Sequence, residues 1–184
     1  MEKQWFIASS DESRARELAR DLHVSPITAS LLINRGLDST RRASRFLRPT
    51  LNHLQPPEKD AEMVRAGEFL HAAVQDGKSI TIFGDYDADG ICATALLVRC
   101  LRLLGGDVDY YIPERGGEGY GLNEEAVRHV AEGGADVLLT VDCGITAFEE
   151  VKLARELGLE VIVTDHHEPL EERPEARFVL NPKL

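Results

Sequence analysis

Runs of eighteen or more apolar residues are missing from these 184 residues, and no apolar segment follows a basic N-terminus. The first absence argues against a membrane-spanning helix and the second against a secretory signal. Cysteine is sparse: three residues, an odd number, with no CxxC pair. That speaks against a disulfide framework or a thiolate zinc site and fits a reducing cytoplasm. Cys92 and Cys100, eight residues apart in a helical pattern, read as two buried thiols. A Walker A sequence is lacking, so phosphates are not held by a P-loop. Basic excess is lacking too. With 21 Lys and Arg against 32 Asp and Glu, the net charge of −11 does not suit a protein that coats itself on nucleic acid.

What is present begins with a 43% apolar content, enough for a packed core. Charge is unevenly spread. The stretch "NRGLDSTRRASRFLR" carries Arg35, Arg41, Arg42, Arg45 and Arg48 against the single acid Asp38. Such a cluster either forks the phosphates of a polyanion or is a solvated helix face. Three short helices are predicted around it: Asp11 to Leu22, Ser25-Pro26 to Gly36, and Asp38 or Ser39 to just before Pro49. The pair joined across Gly36 is compatible with a helix-turn-helix or with plain helix packing. The proline-rich "LRPTLNHLQPPEKD" reads as a linker, which divides the chain into a helical segment, 1–55, and a second domain, 56–184.

In the second domain, a helix from about Asp60 to Gln75 leads into alternating strands and helices. The strand candidates are "SITIFG", "VDYYIP", "DVLLTVD", "EVIVTD" and "RFVLN"; the helices between them are "ICATALLVRCLRLLG", "NEEAVRHVAEG" and "TAFEEVKLARELG". Strands that are continuous apolar runs, alternating with helices, predict an α/β fold: a mostly parallel, doubly wound sheet with helices on both faces.

Three of these strands end on aspartate: Asp85, Asp142 and Asp165. Ligands of an open parallel sheet gather at the carboxyl ends of its strands. The alternation therefore predicts one rim carrying Asp85, Asp87, Asp89, Asp142 and Asp165, with His166 and His167 beside them. Each aspartate alone is an ordinary turn or cap residue. Five carboxylates on one rim repel one another unless cations offset them. The "GDYDADG" stretch is not an EF-hand, because position twelve counted from Asp85 is Leu96 and a strand precedes it. Mixed carboxylate and imidazole donors suit Mn²⁺, with Mg²⁺ as the other candidate. Two such ions hold a phosphate and activate a water. The glycine-rich "RGGEGYG" follows a strand, and its amides either meet an anion or form only a turn.

"GDYDADGICATALL", "TVDCGI" and "VTDHHEP" resemble the first three motifs of the DHH phosphoesterase superfamily, in order and spacing, from about Ile80 to Pro182. "EGYGLN" and the arginine-rich N-terminus resemble its RecJ branch. The resemblance implies a metal-dependent phosphodiesterase, a 5′-to-3′ exonuclease on single-stranded DNA, using Mn²⁺ or Mg²⁺ in DNA repair and recombination. It makes Asp87 and Asp89 metal ligands, Asp142 the bridge between two ions, His166 a ligand of the second ion, and His167 the residue facing the scissile phosphate. Asp85 supports the first ion and Asp165 orients its neighbours. Arg41, Arg42, Arg45, Arg48 and Arg115 become the nucleic-acid contacts. Phe83 stands where other branches carry a histidine, which implies fewer ligands for the first ion. Family members continue into a fourth aspartate motif and a covering domain. The chain is therefore expected to be the N-terminal part of a longer protein, inactive or weakly active by itself. Two other readings stand beside this one: action on short oligonucleotides, cyclic dinucleotides or pyrophosphate, and a non-catalytic scaffold.

Overall fold

Runs such as "VLLTV" and "EVIVT" favour extended backbone, because β-branched side chains fit a pleated surface better than a helix turn. In the computed structural model, which describes residues 11–114, 116, 119 and 121–184, five such strands form one sheet: β1 (Ser79–Gly84), β2 (Asp107–Tyr111), β3 (Val137–Val141), β4 (Glu160–Thr164) and β5 (Phe178–Leu180). All pairings are parallel and the spatial order is β2-β1-β3-β4-β5. The chain moves from β1 out to β2, then returns across β1 to β3. The topological switch point therefore lies between β1 and β3, where a ligand site is expected. The central strand β3 is buried at every residue, as a parallel strand covered on both faces must be.

Helices α4 (Ala61–Gln75) and α5 (Ala88–Leu103) cover one face, where Ala73, Val74, Val98 and Leu101 meet Ile80, Ile82, Leu139 and Ile162. Helices α6 (Glu124–Glu132) and α7 (Phe148–Glu156) cover the other, packing Val127, Val130, Val151 and Ala154 on Phe83, Leu138, Val161 and Val163. Alternate residues of one strand thus serve opposite cores. Phe83 is fully buried and stacks on Tyr111 with centroids 5.7 Å apart, so the position that would otherwise present an imidazole is a core residue.

Helix α5 is pinned closely to β1. A Cβ at Gly90 would lie 2.6 Å from the Asp85 backbone nitrogen and 2.7 Å from its carbonyl carbon, and one at Gly84 would run into Thr94 Oγ1. The buried row of α5 is Gly90, Thr94, Val98 and Leu101. This corrects the expectation for Cys92 and Cys100, which are exposed. Their spacing puts them on one face, but the close approach at Gly90 turns the opposite face to the sheet. Cys143, on the β3 side, is the buried thiol, and burial pushes its pKa up.

The chain divides into two compact units, Met1–Pro56 and Pro57–Leu184. In the first, α1 (Glu12–Leu22), α2 (Pro26–Asn34) and α3 (Thr40–Leu47) start at the side-chain caps Asp11, Ser25 and Ser39. Ala15, Leu18, Leu22, Ala29, Leu32 and Ala43 join them in a small core of their own. The proline-rich stretch contains two single 3₁₀ turns, Leu51–His53 and Pro57–Lys59. Among the described residues no helix is long and apolar enough to cross a membrane.

Candidate metal centre

β1, β3 and β4 are neighbours in the sheet, so the residues that follow them share one rim. Asp85 leaves β1 fully buried, and neither of its carboxylate oxygens meets a hydrogen-bond donor among the described residues. A buried carboxylate without a partner is costly unless a cation compensates it. Asp87 caps α5, accepting from the amides of Asp89 (2.8 Å) and Gly90 (3.1 Å) through Oδ1. These bonds, the Gly90 amide foremost, hold its pKa below the ordinary carboxylate value.

Asp142 follows β3 with φ 60°, a left-handed conformation that is strained for a residue with a side chain. Its amide donates to the Thr164 carbonyl (3.0 Å), which ties it to β4. Burial raises its pKa first, and the Asp87 charge adds to that, while His166 opposes both with Nε2 2.9 Å from Oδ1.

Asp165 differs from the other carboxylates because its hydrogen bonds are already used. Oδ1 accepts from the amides of His166 (2.7 Å) and His167 (3.0 Å) and lies 2.7 Å from His167 Nδ1; Oδ2 accepts from the Ile145 amide (3.0 Å). Burial alone would raise its pKa, but these bonds together leave it lowered. It is therefore ionised and acceptor-only, so His167 Nδ1 carries the proton. The Asp165 hydrogen bond raises the pKa of His167.

Two groups of potential ligand atoms result, each within 4.8 Å: Asp85, Asp87 and Asp142, and Asp142, His166 and His167. Asp142 belongs to both. Asp89, in the first turn of α5, is exposed and belongs to neither among the described residues. The partnerless Asp85, the shared Asp142 and the carboxylate–imidazole donor set fit two divalent cations of the Mn²⁺ or Mg²⁺ type. Beside His167 and Asp165 opens a pocket of about 410 Å³ with apolar walls at Leu122, Ile145 and Ala147 and polar groups at Thr146 and Glu150.

Arg41, Arg42, Arg45 and Arg48 lie on or just after α3 in the first unit. Arg115 falls outside the described residues, as does part of the glycine-rich loop around it. Sequence reasoning missed the left-handed turn at Asp142, which has no residue signature beyond the Cys143-Gly144 that follows. It also missed the Ile145 amide that holds Asp165, which only the pairing of β3 with β4 brings near.

Residues 79–184 match the family model described as "DHH family, N-terminal domain". The chain is 42% identical over 180 residues to the single-stranded-DNA-specific exonuclease RecJ of Bacillus subtilis, covering 98% of this chain and 23% of that protein. It is 39% identical over 160 residues to the Escherichia coli protein of that name, covering 86% and 27%. The chain thus spans about a quarter of the length of these relatives. Among solved structures it resembles RecJ in complex with Mn²⁺ from Thermus thermophilus, at TM-score 0.66 and 36% identity over 96% of this chain and 24% of that one. It also resembles an exonuclease RecJ bound to manganese, at TM-score 0.62 and 48% identity over 65% and 31%. A matched family model covering more than half of the chain, on a fold that gathers the matched aspartates and histidines at one rim, means that this chain belongs to the DHH family.

Proposed function

We propose that this chain carries the metal-binding rim of a two-ion phosphodiesterase, a 5′-to-3′ exonuclease on single-stranded DNA. The observation that carries the reading is that Asp142 is common to both ligand groups. A carboxylate with two oxygens, held in a strained turn between neighbouring strands, is suited to bridge two cations. Cations bound there supply Lewis-acid polarisation of a phosphate and a bound water acidified towards neutral pH.

The chain's own residues divide the remaining work. Asp85 and Asp87 would hold the first ion and His166 the second; Asp89, exposed in the first turn of α5 and outside both groups, would have to swing inward to join a shell. His167, its ring oriented by Asp165 through Nδ1, faces the scissile phosphate. Asp165 is a positioning residue, since its own oxygens are occupied by four donors. The identity to RecJ proteins along nearly the whole chain supports single-stranded DNA as the substrate, and the arginines of α3 fit a long polyanion. Mn²⁺ or Mg²⁺ is the cofactor.

Calorimetric titration with Mn²⁺, run beside an assay on 5′-labelled single-stranded DNA, tests this. In a full-length protein that carries this chain, two ions bound by the wild type, with Asp142→Ala losing both the second ion and nine-tenths or more of the hydrolysis, is the expected result; the 184 residues alone are expected to bind at most one ion, weakly. A variant that keeps more than about a tenth of the rate has lost less than ~1.4 kcal/mol of barrier stabilisation, and the bridging role is then wrong.

A further inference from the structure

Helix α3 and the residue that caps it present two adjacent rows. Arg41, Arg45 and Arg48 follow one another at helical spacing, and Arg42 and Phe46 form the neighbouring row. Phe46 is 58% exposed, a large apolar ring left in water on a helix whose only buried residue is Ala43. It lines a groove of about 470 Å³ together with Arg42, Arg45 and the Gly36-Leu37 turn. Among the described residues Arg41, Arg42 and Arg48 have no ion-pair partner, and the Arg45 guanidinium donates to the His53 carbonyl (2.7 Å) rather than to a carboxylate. In a chain with 32 acids, four arginines without an ion pair to any described carboxylate leave their charge for an outside anion.

A row of guanidiniums beside an open aromatic face is the arrangement by which single strands are held: the cations follow the phosphates and a base stacks on the ring. We infer that Phe46 is a base-stacking platform of a single-strand subsite on the helical unit, with Arg41, Arg45 and Arg48 along the phosphate backbone and Arg42 beside the base. This rests on the reading of single-stranded DNA as substrate and adds to it a residue that touches bases rather than phosphates. Stacking accepts any base, so the subsite confers grip without sequence preference.

The probes are a short oligothymidylate and an abasic strand with the same number of phosphates, bound in excess chelator so that hydrolysis plays no part. Phe46→Ala is expected to weaken oligothymidylate binding roughly five- to a hundredfold and to leave abasic binding and the salt slope unchanged. Phe46→Leu, which keeps apolar bulk without a ring, should lose as much, whereas Phe46→Trp should bind as well as the wild type. When Phe46→Trp is combined with Trp5→Phe, the one remaining indole should be quenched by the thymidylate strand and not by the abasic one. Full affinity in Phe46→Leu means the side chain only packs, and overturns the inference. So does an equal loss on both strands, or sedimentation showing that Phe46→Ala abolishes an association between copies of the chain. A wild type that binds neither strand overturns the substrate reading itself, while equal binding of both strands, insensitive to position 46, removes the stacking platform alone.

Discussion

Asp142 and Asp165 are both buried strand-end carboxylates, yet their surroundings drive their pKa values apart, upwards for Asp142 and downwards for Asp165. The difference separates a group that needs a cation from a group that needs none. In metal-free protein, Asp142→Asn should raise stability at neutral pH. A carboxylate whose folded pKa lies above its unfolded one weakens the fold as pH rises between the two, so the gain should vanish below the ordinary aspartate value. Urea denaturation in chelator across pH reads this directly, and an Asn variant less stable than wild type at pH 7 would contradict it. Asp165→Asn should do the opposite. An amide cannot accept at both ends, so at least one buried N–H loses its partner, at about 1–3 kcal/mol. The lowered Asp165 contributes stability above its unfolded pKa, lost as pH falls through the folded value. The raised His167 contributes below its unfolded pKa, lost as pH rises through the folded value. The pair is at full strength between the ordinary values, about 3.9 and 6.5. The same denaturation series should therefore show both flanks flattened in Asp165→Asn.

Among the elements, α5 decides where the first group of ligands stands. Its N-terminus approaches β1 so closely that only glycine fits at position 90, and Asp87 both caps the helix and stands at the rim. Gly90→Ala should push the helix away from the Asp85 backbone, at a cost of about 1–3 kcal/mol for overpacking, and should weaken Mn²⁺ binding through displaced Asp85 and Asp87. A calorimetric titration with wild-type affinity in this variant would show that the helix end does not set the site. Helix α3 makes its contribution by charge. Changing Arg41, Arg42, Arg45 and Arg48 to alanine should flatten the dependence of single-strand affinity on salt by roughly 0.7 in log–log slope for each phosphate no longer neutralised. A slope unchanged after all four substitutions would make the cluster a solvated face.

At the scale of the molecule, the two units have separate cores, and all the candidate ligands lie in the second. Mn²⁺ should therefore stabilise Pro57–Leu184 selectively. At a hundred times its dissociation constant one ion adds about 2.7 kcal/mol, and hydrogen exchange should slow at the ends of β1, β3 and β4 while α1 and α2 stay as they were. Equal protection of both units would mean that the ion binds elsewhere or that the units unfold as one.

Strand runs such as "VLLTV" and caps such as Asp11, Ser25 and Ser39 are local matters, settled by side-chain shape and by hydrogen bonds within a few residues, and they are legible before any tertiary contact forms. So is the meeting of Asp85, Asp142 and Asp165 on one rim, because parallel strands joined by helices all end on the same side. What each side chain does there depends on contacts between residues distant in the chain. The pairing of β3 with β4 brings the Ile145 amide to Asp165, and the Gly90 approach hides one face of α5 while exposing Cys92 and Cys100. Periodicity states that residues share a face; only packing chooses which face is turned inward, because that choice depends on the surface the helix meets.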